Sequence, residues 1–73
     1  MYFLKGHRYM GTVTLGFFQR IASNAAIGEK FLDAGFEAVI VSGDGKTRTA
    51  TGTWAKEDQD AELPPEVSDV HII

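Results

Sequence analysis

The chain lacks cysteine altogether and has only two prolines among its 73 residues. Without cysteine it can form neither a disulfide nor a thiolate zinc site, although the redox compartment stays undetermined. No apolar run approaches the roughly 20 residues that a membrane-spanning helix needs. The short apolar start before Lys5 is also unlike a signal peptide. These absences predict a cytoplasmic protein with no membrane contact.

Charge of one sign is missing from each end of the chain. Residues 1–28 contain no carboxylate, and no Lys or Arg follows Lys56. Because opposite charges attract, we expect the acidic segment that begins at Glu57 to lie near the basic N-terminal part. The net charge of −3 and the scattered cations argue against a nucleic-acid partner.

The length and the composition predict a single small α+β domain over residues 1–73. The chain is 44% apolar and 23% charged, which is typical of a folded globular protein. A chain this short buries only about 60% of the surface that its unfolded form exposes. Self-association is therefore expected as one way to complete the core.

The hydrophobic period changes after the first predicted strand. Residues 9–15 alternate as a half-buried strand does, and the period then becomes helical. The predicted helical stripe, widened by Ile27 and Phe31, consists of Phe18, Ile21, Ala25, Gly28 and Leu32. Ser23 or Asn24 is the predicted N-cap, with a start nearer Phe18 as the alternative. Gly35 is the predicted end of the helix, because glycine readily adopts the left-handed conformation that ends helices.

Three further strands are predicted after the helix. In the strand Phe36–Ser42, the predicted alternation places Phe36, Ala38 and Ile40 on one face. A glycine-containing turn leads into Thr47–Trp54, where threonines alternate with small residues. Residues 56–65 form a polar connection without regular structure, and residues 67–73 form the last strand.

The fold class that follows is α+β, with one helix packed on a four-stranded, mostly antiparallel sheet. Its order, β-α-β-β-loop-β, predicts a truncated ferredoxin-like (split β-α-β) arrangement. The third strand is expected between the first two, and the last strand beside the first.

Residues that could carry catalysis are sparse. His7 and His71 are the only histidines, and each is interpreted as an ordinary strand or loop residue. Asp58, Asp60 and Glu62 are spaced like cation ligands, but the glycine and the bidentate Glu of an EF-hand are missing. The sequence therefore predicts no catalytic residue, no metal site and no cofactor. A small enzyme that uses His7 or His71 is kept as an alternative.

Threonines give the sequence its most unusual predicted surface. The hydroxyl array, expected on the sheet face away from the helix, consists of Thr12, Thr14, Thr49, Thr51 and Thr53. Regularly spaced hydroxyls suit a polar repeating ligand such as a glycan, whereas the simpler interpretation is a solvated strand face, where Thr is favoured. Trp54 is included in this candidate site as an aromatic platform.

Several short segments resemble the first half of a SPOR domain. They are residues 9–18, Asn24-Ala25, Phe31-Leu32, Ala34-Gly35-Phe36 and residues 39–41, which together span about half the chain. The resemblance implies a ferredoxin-like fold that binds peptidoglycan glycan strands lacking stem peptides. The chain departs from the family at residues 51–54, where a Gly-Pro-Phe-like strand end is expected, and in lacking the second helix.

Together these observations predict a non-enzymatic interaction module, bacterial or phage-borne, that binds a protein partner or itself. The contact is expected on the sheet face or on an exposed sheet edge. Glycan binding through the threonines is the first alternative.

Overall fold

The structure is a computed structural model that describes residues 1–16 and 22–73. Its elements within those residues are β1 (Tyr2–Phe3), β2 (Arg8–Thr14), α1 (Asn24–Ala34), β3 (Phe36–Ser42), β4 (Thr47–Trp54), β5 (Gln59–Asp60) and β6 (Val67–Ile72). The predicted class, α+β with a helix and a four-stranded antiparallel sheet, is confirmed. Phe18 and Ile21 of the predicted helical stripe lie outside the described residues.

The four long strands form one sheet in the order β3-β4-β2-β6. Every neighbouring pair is antiparallel, so β2 and β3 run parallel to each other with β4 between them. This is the predicted strand order. A second sheet, in which β1 pairs with β5, was not predicted, and it places a short strand inside the connection expected to lack regular structure. Each of its strands is only two residues long, which is too short for a periodic signal.

The ends of α1 follow from local chemistry. Ser23 has extended backbone angles, and its Oγ accepts a hydrogen bond from the amide of Ala26 at 3.1 Å, so Ser23 is the N-cap. At the other end Gly35 adopts φ 124°, and its amide donates to the carbonyls of Phe31 and Leu32. Both boundaries agree with the prediction.

The buried face of α1 differs from the predicted stripe. Ile27, Gly28 and Phe31 are buried, whereas Ala25 is exposed and the Leu32 side chain is 51% exposed. The predicted stripe is therefore confirmed at Ile27, Gly28 and Phe31 and was wrong at Ala25 and Leu32. The helix packs chiefly on β3, and this contact selects the Ile27–Phe31 side.

An aromatic cluster forms the centre of the core. Phe3 is fully buried, stacks on Trp54 at a centroid distance of 4.9 Å and meets the edges of Tyr9 and Phe36. The Trp54 Nε1 group donates to the carbonyl of Glu57 at 2.9 Å, so the buried ring keeps its hydrogen bond. The short β1 strand thus supplies a central core residue.

Close contact with β3 explains why a residue in the middle of β4 must be small. A Cβ at Gly52 would lie 3.2 Å from the Phe36 Cβ and 3.3 Å from the Val39 Cγ2. The small residue therefore makes room for side chains of β3. The helix approaches through its own glycine, Gly28, above Val39 and Val41.

Ion pairs hold the two ends of the chain together. The Met1 ammonium lies 2.8 Å from an Asp60 carboxylate oxygen, and Lys5 Nζ lies 3.0 Å from Glu57. The Lys5 amide also donates to Asp58 at 2.7 Å. The expected contact between the acidic segment and the basic N-terminal part is confirmed.

A buried arginine joins the helix start to the β3–β4 turn. Arg48 is 5% exposed and donates to the carbonyl of Ala22 at 2.9 Å, to Asn24 Oδ1 at 2.7 Å and to the carbonyl of Gly45 at 3.0 Å. Charge-assisted hydrogen bonds of this kind fix geometry better than neutral ones.

Among the helices of the described residues, none is long and apolar enough to cross a membrane.

Candidate functional site

The sheet has one face covered by the core and one face open. Buried residues alternate along β2 and β4, and the residues between them point to the other side, where the described residues place no further helix or strand. We call this other side the open face. It comprises Arg8, Met10, Thr12 and Thr14 of β2, Glu37, Ile40 and Ser42 of β3, Thr47, Thr49, Thr51 and Thr53 of β4, and Ser68 and His71 of β6.

The strand register sets the threonines side by side. Thr12 lies directly opposite Thr49, and Thr14 lies opposite Thr47. Opposed residues on one face of an antiparallel pair have Cβ atoms about 4.5–5.5 Å apart. The structure therefore brings the predicted threonines together on one surface and adds Thr47, which the sequence interpretation left out.

A bulge in β3 reverses the alternation of that strand. Ala38 has φ 50°, and the register with β4 shifts between Glu37 and Ile40. Glu37 and Ile40 consequently share a face, although the regular alternation predicted them on opposite faces of the strand. The predicted grouping of Ile40 with Phe36 was wrong, because the extra residue in the bulge moves every later side chain to the opposite face.

Ile40, on the edge strand β3, is therefore the most exposed large apolar side chain of the open face. It is paired with Thr51, which in turn is paired with Met10, and its side chain is 61% exposed. Val39 and Val41 take the inward positions and pack against the core. Sequence periodicity missed Ile40 as a site residue, since a bulge leaves no periodic signal.

Arg8 connects the bulge to the threonines. Its guanidinium donates to the carbonyl of Ala38 at 3.1 Å, to Thr53 Oγ1 at 3.2 Å and to Thr51 Oγ1 at 2.9 Å. The arginine thereby stabilises the reversed register of β3. Arg8 also forms hydrogen bonds with two of the hydroxyl groups that were expected to contact a ligand.

Trp54 does not belong to the candidate site. Its side chain is 1% exposed, in the aromatic core on the other side of the sheet from the threonines. The prediction that it forms an aromatic platform beside them was wrong. The physical reason is the alternation along β4, which places Trp54 with Gly52 and opposite Thr53.

The two histidines lie apart from each other on the surface of the described structure. His7 and His71 are both exposed, and neither forms an ion pair with a carboxylate of the described chain. His71 Nδ1 lies 2.9 Å from the backbone carbonyl of Asp69. The alternative of a small enzyme predicts a histidine beside a carboxylate in a cleft, and neither histidine has this setting within the described residues.

The acidic segment has a local structural role. The Met1 ammonium donates a hydrogen bond to Asp60 and attracts its charge, and both effects lower the pKa of that carboxyl below its ordinary value. In residues 1–16 and 22–73, no three His, Asp or Glu side chains are placed to hold a metal ion together.

An apolar groove of about 150 Å³ lies on the covered side of the sheet, between α1 and the start of β6. Its lining includes Ile27, Phe31 and Val67, with Lys30 and Glu66 as charged members. The other residues that line the groove are all apolar.

Comparison of the chain with family models, with curated proteins and with solved structures gives no match. The resemblance to SPOR domains therefore stays a prediction from the sequence, and the open face is interpreted from its own geometry.

Proposed function

We propose that the protein is a non-enzymatic interaction module that binds a protein through the open face, with Ile40 as the main apolar contact. One observation carries the proposal. A non-glycine residue, Ala38, adopts a positive φ in a bulge that turns Val39 and Val41 toward the core and leaves Ile40 exposed. Strained backbone conformations persist where the surrounding structure enforces them, and they concentrate at functional sites.

The energies involved favour a binding role for Ile40. An L-residue in the left-handed region costs about 1–2 kcal/mol relative to its ordinary conformation. Full burial of an isoleucine side chain is worth about 1.5–3 kcal/mol, and here more than half of that side chain stays in water. A partner that covers Ile40 would recover the missing burial.

The sheet edges are less suited to binding than the face. Both edge strands contain a residue with positive φ at a register shift, Ala38 in β3 and Asp69 in β6. Bulges of this kind disrupt the regular row of hydrogen-bonding groups and protect edges from pairing with other chains. The protected edges support the open face, rather than a sheet edge, as the proposed binding surface.

We further propose that the arrangement is a truncated ferredoxin-like fold. The support is the β4 strand inserted between the parallel β2 and β3, with β6 added beside β2. The connection from β2 through α1 to β3 is the crossover that such folds share.

Glycan binding is the second candidate, favoured by one observation. The opposed pairs Thr12–Thr49 and Thr14–Thr47 present four hydroxyls at regular spacing near one end of the open face. The contacts of Arg8 with Thr51 and Thr53 weigh against it, because those hydroxyls already accept hydrogen bonds. If glycans bind, peptidoglycan should retain the protein, and Thr49→Lys should abolish retention.

The test of the proposed function compares the wild-type protein with two variants that differ only in the position of one added positive charge. The wild-type protein, Ile40→Lys and Leu32→Lys are immobilised and exposed to extracts and to purified peptidoglycan. Leu32 is the matched control, since it is similarly exposed but lies on the helix. Proteins retained by wild type and Leu32→Lys but not by Ile40→Lys support the proposal. Equal retention by all three, or retention lost only with Leu32→Lys, contradicts it.

A further inference from the structure

We propose that the partner bound by the open face is a second copy of this chain, so that two sheets pack face to face across a two-fold axis. The inference rests on the proposed function and names its partner. Its first support is the chemistry of the face. Threonine and serine hydroxyls both donate and accept hydrogen bonds, so a face rich in them complements a copy of itself.

The charges of the open face are also compatible with self-pairing. The face has one cation, Arg8, and one anion, Glu37, although the whole chain has a net charge of −3. Two copies that meet through this face bring together no excess of either sign. A basic or acidic partner would find no net opposite charge here, whereas an isologous contact requires only that the patch complement itself.

The area of the face indicates how strong the pairing is. Four strands about 4.8 Å apart and about seven residues long give a footprint of about 450 Å² per copy, or about 900 Å² for a pair. Stable interfaces bury about 1,200–2,000 Å² in total, so the dimer is expected to be weak and reversible.

The monomer's own surface leads to the same conclusion. The chain exposes 4571 Å², and a compact monomer of its 8.0 kDa mass exposes about 4,450 Å². The fold is therefore as compact as an ordinary monomer of this mass, and association is expected to depend on concentration.

Sedimentation equilibrium of the purified full chain tests the inference, from about 10 µM to about 1 mM, the range expected for small interfaces. The wild-type average mass should rise toward that of a dimer. Ile40→Lys should weaken association at least tenfold, whereas Leu32→Lys should leave it unchanged. Thermal unfolding of each variant checks that both substitutions leave the fold intact.

Two results would overturn the inference. The first is a monomeric wild-type chain at every concentration, and the second is a dimer that persists in Ile40→Lys. These results are distinguishable from failure of the proposed function. A monomeric chain that still retains a protein in a manner dependent on Ile40 would preserve the interaction face and assign it to another partner.

Discussion

Replacing Ala38 by glycine should stabilise the protein, although the residue lies in a strand. The backbone at Ala38 has φ 50°, where an alanine costs about 1–2 kcal/mol more than a glycine does. Glycine in a strand loses about 0.5–1 kcal/mol through its greater freedom in the unfolded chain. The net expectation for Ala38→Gly is a gain of about 0.5–1 kcal/mol, or a rise in Tm of roughly 2–8 °C for a domain of this size.

The opposite substitution makes the prediction sharper. Valine is favoured over alanine and glycine in regular strands. At a positive φ, however, a β-branched residue is a genuine outlier, so Ala38→Val should destabilise the protein by at least about 1 kcal/mol. The bulge thus predicts the stability order Gly, Ala, Val, which is the reverse of the order that strand propensity predicts.

Thermal and urea unfolding of these variants provide the assay, with Ala50→Gly as the matched control. Ala50 is 5% exposed and lies within β4, away from any positive φ. The same chemical change there should destabilise the protein by about 1 kcal/mol. If Ala38→Val proved the most stable variant and Ala38→Gly the least, β3 would be a regular strand and Ile40 would point into the core.

Three further predictions concern single groups. Ser23→Ala should destabilise the protein by about 1 kcal/mol in urea unfolding, because the N-cap acceptor is lost. Trp54, the only tryptophan, should emit at short wavelength and resist iodide quenching, since its side chain is 1% exposed. Asp60 has a lowered pKa, so its pair with the Met1 ammonium contributes to stability above the ordinary value of 3.8 and is lost as the pH falls through the lowered one. The amide shift of Tyr2 should titrate below pH 3.8 and should not do so in Asp60→Asn.

Each of these has a clear contrary result. An unchanged urea midpoint in Ser23→Ala would place the helix start elsewhere, as the alternative start near Phe18 would require. Emission at long wavelength that iodide readily quenches would show that the Trp54 side chain is exposed to solvent. A Tyr2 titration with its midpoint at or above 3.8, or one that persists in Asp60→Asn, would show that the terminal ion pair does not form in solution.

The sequence was sufficient to predict which face a residue occupies where a strand shows a single clear alternation. Along β4 each threonine alternates with a small or buried residue, so the two faces of the strand could be separated before the structure was known. Local signals also located the helix ends, since Ser23 and Gly35 are residues that caps favour. The same alternation already placed Trp54 away from the threonines, and its inclusion in the site ignored that pattern.

Periodicity failed where both faces of a strand are apolar. In β3 the residues from Ala38 to Val41 are all apolar, so neither register is favoured by the pattern. Packing decides instead, because Val39 and Val41 fit against Gly28 of the helix. The sequence pattern also did not indicate Phe3 as a core residue. Its strand is only two residues long, and its position is set by pairing with a strand 56 residues away in the chain.

The most direct test of self-association through the open face is a dilution series of amide and methyl chemical shifts on the full chain. We expect concentration-dependent shifts at Ile40, Met10 and Thr51, with the Ile40 methyl groups changing most and Leu32 unchanged. Shifts that are absent up to millimolar concentration, or that centre on Leu32 and the helix, would contradict self-association through the open face.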